Sequence, residues 1–170
     1  MRNSVILAHP DKNSFNHALA HTVIDELKSN GHTIFYHDLY EENFDPILPS
    51  AEIPKDVQLP PEIQSHCDEI SAAEGLIIIH PNWWGQPPAI LKGWVDRVIR
   101  PGTAYEFIEE DKGEGIQDLL HDKPLLTVSI NVSYFLPEAH CLPVLSPFVV
   151  VFSQYFINIL VSPHIMSYIS

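Results

Sequence analysis

Two stretches of this chain carry residue types that could do chemistry. The first is His80-Pro81-Asn82-Trp83-Trp84-Gly85-Gln86, where two adjacent indoles stand in a segment punctuated by Pro81, Gly85, Pro87 and Pro88. Neighbouring residues in irregular backbone cannot easily both face one core, so this loop could present an indole to flank a planar ring. The second is His9-Pro10-Asp11-Lys12-Asn13-Ser14-Phe15-Asn16, a turn in which Asn13 or Ser14 can cap a following helix. A helix start presents unpaired backbone N–H groups and the positive end of a dipole, which attract phosphate. The turn has no G-x-G-x-x-G and no Walker lysine, so it is not a dinucleotide fingerprint of the usual kind. Read alone, Ser14 is a cap and Phe15 a staple.

Each stretch leaves a strand and enters a helix. Ser4 to Ala8 and Leu76 to Ile79 are short apolar runs rich in branched residues, as expected of strands buried on both faces of a parallel sheet. After the first turn, Phe15, Leu19, Val23 and Leu27 repeat every four residues, and Gly31 follows as a stop, so a helix is predicted to about Asn30. Thr33 to Tyr36 is a second strand that completes a βαβ unit. Residues 46 to 61 are proline-rich and irregular, and Pro61 to Ala73 is a helix with Ile63, Cys67 and Ile70 on one face. After the aromatic loop, Ile90, Leu91, Trp94, Val95, Val98 and Ile99 form one helical stripe, which puts Arg97 and Arg100 on the outer face. Gly102 to Gly115 reads as loop and Pro124 to Ile130 as a fourth strand. In open α/β sheets, ligands bind at the carboxyl ends of the strands, which is where both stretches fall.

Composition narrows the function classes. A chain of 170 residues with 45% hydrophobic content supports one α/β domain. A net charge of −13 with nine scattered basic residues excludes a nucleic-acid binder of the usual kind. Cys67 and Cys141 have no metal or redox spacing and read as free thiols, which makes the cytoplasm the expected location. The apolar run in MRNSVILAHP is too short for a signal peptide. His17 and His21 stand four apart without a third ligand and read as a solvated helix face, so no metal is expected. No Ser-His-Asp arrangement is readable.

The segment PPAILKGWVDRV resembles the third helix of the flavodoxin-like NAD(P)H:quinone oxidoreductases, of the modulator of drug activity B and quinone reductase type. AHPDKNSFN is similar to that family's flavin-phosphate loop; Asp38-Leu39-Tyr40, Asn43-Phe44-Asp45-Pro46 and Tyr105-Glu106-Phe107 look like further family segments. The resemblance implies a three-layer sandwich with a five-stranded parallel sheet in the order 2-1-3-4-5, formed by a single domain over residues 1–170. It implies a flavin, FAD or else FMN, with NAD(P)H as electron donor, a quinone as acceptor and a homodimer as the assembly. His9, Ser14, Phe15 and Asn16 would hold the phosphate end; Pro81, Asn82, Trp83, Trp84 and Gly85 would hold the ring, Trp84 being the aromatic most closely shared. No catalytic residue is assigned. The other reading is a flavodoxin-fold binding or regulatory protein that has lost turnover.

The resemblance runs from residue 1 to about 128. Beyond Ile130, Asn131 and Ser133 are the only candidates for the family's polar loop, and no glycine is present there; Tyr134 and His140 lie near, but do not align with, the family's active-site Tyr and His. From Ala139 to Ser170 there is no Asp, Glu, Lys or Arg. Val149 to Phe152 and Ile157 to Val161 read as strands; a tail from an altered reading frame or splice form is the other reading, and the polar interruptions argue against a membrane span.

Overall fold

Branched apolar runs build the centre of the molecule. The computed structural model describes residues 1–110, 113–120, 122–131 and 149–153. In chain order the elements are β1 (Arg2–Leu7), α1 (Phe15–Ser29), β2 (Thr33–Asp38), a 3-10 turn (Ser50–Glu52), α2 (Pro61–Ala72), β3 (Gly75–Asn82), α3 (Ala89–Val98), β4 (Tyr105–Glu110), β5 (Gly113–Asp118), β6 (Leu125–Asn131) and β7 (Val149–Ser153). The main sheet has the order β2-β1-β3-β6-β7. β2, β1, β3 and β6 are parallel neighbours in that order.

Alternation along β1 explains the layers. Val5 and Leu7 join Leu19, Ala20 and Ile24 of α1 in one apolar cluster, with Ile79 and Val128. Ile6 and Ala8 point the other way and join Ile63, Cys67 and Ile70 of α2 with Leu91, Trp94 and Val98 of α3. Successive strand residues face opposite sides, so a segment covered by helices on both sides must be apolar on both, as Val5 to Ala8 is. The chain has the flavodoxin-like α/β architecture expected of its sequence.

The structure differs from expectation in four places. The fifth strand, β7, runs antiparallel to β6, with Val128 opposite Val151. A parallel strand needs a crossover, usually a helix, and Pro137, Pro143 and Pro147 break the helical period of the connecting sequence. Residues 102–115 are not all loop: β4 and β5 pair antiparallel, with Phe107 opposite Ile116, as a two-stranded ribbon outside the main sheet. His80, Pro81 and Asn82 continue β3 instead of opening the loop. Arg97 and Arg100 are buried. Arg97 grips Glu52 in a fork, Nε to Oε2 at 3.0 Å and Nη2 to Oε1 at 2.6 Å, and donates from Nη1 to the Asp45 carbonyl at 2.6 Å. Arg100 donates to the Pro54 carbonyl at 2.8 Å. The segment from Asp45 to Pro54 thus folds over what would otherwise be the solvent side of α3. Gly93 permits this, since a Cβ there would sit 2.1 Å from the Pro46 carbonyl oxygen.

Candidate functional site

The sheet sets two loops side by side. β1 and β3 are neighbours with Leu7 opposite Ile79, and the Ala8 N–H donates to the Ile79 carbonyl at 3.0 Å. The turn from β1 into α1 and the loop from β3 into α3 therefore leave the same edge. Their rings meet there: His9 and Trp83 lie 6.1 Å apart, edge to face at 61°.

The first turn is held from beneath. Asp11 accepts from the Asn13 N–H through Oδ1 at 2.9 Å, and its carbonyl accepts from the Ser14 N–H at 3.0 Å. Ser14 caps α1, its Oγ accepting from the His17 N–H at 3.4 Å. That leaves the N–H groups of Phe15 and Asn16 beyond reach of an intrahelical acceptor, and no acidic residue stands in the first turn. Asn16 is buried, and its Oδ1 has no hydrogen-bond partner. A buried amide oxygen left without a donor calls for completion by a hydrogen-bond donor, such as a ligand hydroxyl. His9 Nδ1 accepts from the Asp11 N–H at 3.1 Å, which places the neutral ring's proton on Nε2. Lys12 reaches Glu41 at 2.6 Å; the carboxylate raises the Lys12 pKa and keeps a positive charge beside the turn.

Ser14 belongs to a chain of contacts that the sequence did not disclose. Its Oγ lies 3.1 Å from His17 Nδ1, and His17 Nε2 lies 2.9 Å from Asp38 Oδ2. His17 and Asp38 are both buried, so His17 is not part of a solvated face. The Asp38 Oδ1 also accepts from the N–H groups of Tyr40 and Glu41, at 3.1 and 3.2 Å. A Ser-His-Asp line does exist here, although none was readable from residue order. Ser14 Oγ is committed to the helix cap, so the line is an anchor for the turn and not a nucleophile.

The second loop has the opposite character. Trp83 and Gln86 exchange backbone hydrogen bonds of 2.9 and 3.0 Å, closing a two-residue turn on Trp84 and Gly85. Both of these have positive φ, 57° and 82°, the conformation of a type I′ turn. Glycine adopts it without cost; a tryptophan does so against its steric preference, and such strain clusters at ligand sites. The Trp84 side chain is 99% exposed. Pro81 is buried at the end of β3, beside His80, whose pKa is lowered by burial. Asn82 sits opposite Asn131 in the β3–β6 register, so Asn131 is at the same edge. Ser133, Tyr134 and His140 lie outside the described residues, as does Cys141. Phe15 is 37% exposed at the start of α1.

The structure thus brings His9, Ser14, Phe15 and Asn16 to one strand end, and Pro81, Asn82, Trp83, Trp84 and Gly85 to the next. Unpaired backbone N–H donors at the start of α1 on one side, and outward indole surface on the other, fit a ligand with an anionic end and a planar aromatic end. Among the described residues no helix is long and apolar enough to cross a membrane.

Known proteins carry the same pattern. The chain is 36% identical over 141 residues to an uncharacterized NAD(P)H oxidoreductase of Haemophilus influenzae, covering 79% of this chain and 68% of that protein. It is 33% identical over 132 residues to rat NAD(P)H dehydrogenase [quinone] 1, covering 66% of this chain and 48% of the relative. The chain spans about half the length of the mammalian quinone dehydrogenases it matches. Among solved structures it resembles an NAD(P)H:quinone oxidoreductase from Methanothermobacter marburgensis, with a TM-score of 0.57 and 34% identity over 62% of this chain and 57% of that one. An azoreductase of Bacillus anthracis in complex with FMN shares the fold at a TM-score of 0.59 and 16% identity, over 82% of this chain and 73% of that one. The family profile described as flavodoxin-like fold matches residues 1–143, beyond the limit near residue 128 expected from motifs. With that match over most of its length and a parallel sheet in the order β2-β1-β3-β6, the chain belongs to the flavodoxin-like fold family.

Proposed function

We propose that this chain is a flavin-dependent NAD(P)H:quinone oxidoreductase, acting on a small quinone. The observation that carries the reading is the pairing of a capped helix start, whose first N–H groups are unpaired, with a strained, exposed Trp84 turn on the adjacent strand. FAD is the favoured flavin and FMN the second candidate; residues 1–170 act as one domain, and the working unit is a homodimer in the cytoplasm. The bound flavin supplies the redox chemistry, taking a hydride from NAD(P)H and passing two electrons to the acceptor.

The chain's own groups bind and orient. The N–H groups of Phe15 and Asn16, the Asn16 side-chain NH2 and the dipole of α1 hold the phosphate end, on a turn that Ser14 caps. His9 donates from Nε2, and Lys12 offsets the strongly negative charge of the chain near an anionic ligand. Trp83, Trp84 and Gly85, on a frame set by Pro81 and Asn82, provide the surface for the ring. Orientation matters because hydride transfer requires donor and acceptor held in near-attack geometry. Among the relatives, the rat enzyme is named as a quinone dehydrogenase, which supports a quinone here.

Steady-state kinetics with NADH or NADPH, a quinone and saturating FAD test the proposal. A turnover number in the common enzymatic range, about 1–1000 per second, is expected. A protein that stays colourless with added FAD or FMN would sink it. The antiparallel β7 favours a second reading, a binding or regulatory protein that keeps the sheet without turnover; flavin binding with no detectable quinone reduction would select that reading.

A further inference from the structure

A second set of titratable groups lies on the other side of the sheet from α1. His37 comes from β2, Glu42 from the turn after it, and His66 and Glu69 from α2. His37 Nδ1 is 2.8 Å from Glu42 Oε1, and its Nε2 is 2.7 Å from Glu69 Oε2. His66 Nε2 is 3.6 Å from Glu42 Oε2. The two imidazoles lie 4.0 Å apart, tilted by 41°. One ligand atom from each of His37, Glu42 and His66 falls within 4.8 Å of the others.

We propose that His37, Glu42 and His66 form a binding site for a divalent transition-metal ion of the zinc class, with Glu69 orienting His37 from behind. Imidazole nitrogen and carboxylate oxygen are the donors such ions take, and three protein ligands leave a fourth position open. Glu69 supplies the outer contact that metal-bound histidines almost always make: it accepts from Nε2–H and leaves Nδ1 as the ligating atom. Glu42 is exposed, which gives the ion a route in; His66 is buried, which gives it a fixed wall.

Burial works against a charge on His37, but the hydrogen bonds with Glu42 and Glu69 outweigh it and raise the His37 pKa. An ion at Nδ1 displaces any proton held there to solvent. His66 is held neutral, its pKa pushed down to about 4 by burial and then by His37, so binding requires only a change of tautomer. Trp94 Nε1 donates to His66 Nδ1 at 3.3 Å, so the neutral His66 carries its proton on Nε2. Coordination through Nε2 moves that proton to Nδ1, where it meets the Trp94 N–H, and the 3.3 Å contact must lengthen. Trp94 therefore sets a penalty on affinity.

The test is a titration of the full chain, stripped of metal, with Zn²⁺ by calorimetry at about pH 7, and with Co²⁺ by visible absorption. One ion per chain is expected. Glu42→Gln changes an exposed residue and should leave the melting curve close to native while weakening binding at least about 100-fold; Glu69→Gln should weaken it about 10–100-fold. Trp94→Phe should tighten it, and His21→Ala on the surface of α1 should leave it unchanged. No binding up to millimolar Zn²⁺, binding untouched by Glu42→Gln, or equal loss in His21→Ala would each overturn the proposal.

Discussion

The two loops of the site solve opposite problems. The turn after β1 is anchored inward, through Ser14, His17 and Asp38, and its unpartnered side-chain oxygen, Asn16 Oδ1, is buried. The loop after β3 is pushed outward: a two-residue turn holds Trp84 in left-handed backbone, with its side chain almost wholly in solvent. A phosphate needs donors fixed in advance, because charge is bound by geometry that does not have to reorganise. A planar ring needs broad apolar surface, and that surface stays exposed until the ligand covers it. The contrast shows how one sheet edge can offer rigidity on one strand and stored strain on the next.

The largest effect that would sharpen this contrast is the difference between two tryptophans. Trp94 is fully buried, so Trp94→Ala should cost about 3–5 kcal/mol, whereas Trp84→Ala should change stability by less than about 0.5 kcal/mol. Chemical denaturation measures both, and equal costs would mean that Trp84 is part of the core. Next comes the anchor of the first turn. Asp38→Ala leaves buried His17 and the Tyr40 and Glu41 N–H groups without their acceptor, for about 3 kcal/mol. A loss below about 1 kcal/mol would show that the turn does not depend on this relay.

Acid and base should act on the opposite face of the sheet. Burial and the His37 charge push His66 down to about 4, so between about pH 6.5 and 4 the unfolded chain binds a proton that folded His66 refuses, and stability falls as pH drops. At ~1.4 kcal/mol per unit this amounts to at most about 3 kcal/mol. His37 has the opposite sign: its pKa is raised, so its contribution is whole below about 6.5 and is lost as pH climbs through the higher folded value. With chelator present, a plot of unfolding free energy against pH should peak between these windows, and His66→Gln should flatten its acid side. The smallest effect is Trp84→Gly, which removes a side chain from φ 57° and should add about 1 kcal/mol of stability; a destabilised variant would mean that the indole is supported by contacts.

Much of this fold could be read from the chain because β1, β3 and β6 are apolar runs and α3 carries an unbroken stripe from Ile90 to Ile99. The two loops could be located because each follows such a run. Their inner wiring could not: His17 and Asp38 are 21 residues apart, and only β2 lying beside β1 brings them together. Arg97 and Arg100 were misread because helical periodicity reports one buried face, whereas the segment from Asp45 to Pro54 covers a second; the signal was Gly93, a poor helix former kept inside a helix. The β4–β5 ribbon was missed because Gly113, Gly115 and several acids dilute the alternation that marks a strand. The direction of β7 depends on a connection with no periodic pattern to read.

The proposed two-loop site stands or falls on one titration: absorbance and tryptophan fluorescence of the full chain against FAD and FMN, for the native protein, Asn16→Ala, Asn16→Asp and Trp84→Ala. The expected result is one flavin per chain, weakened by Trp84→Ala and weakened further by Asn16→Asp than by Asn16→Ala, because a new carboxylate beside a bound phosphate repels it, with melting temperatures close to native in every Asn16 and Trp84 variant that loses flavin. A native chain that binds neither flavin, or variants at both loops that bind as tightly as the native protein, would contradict it.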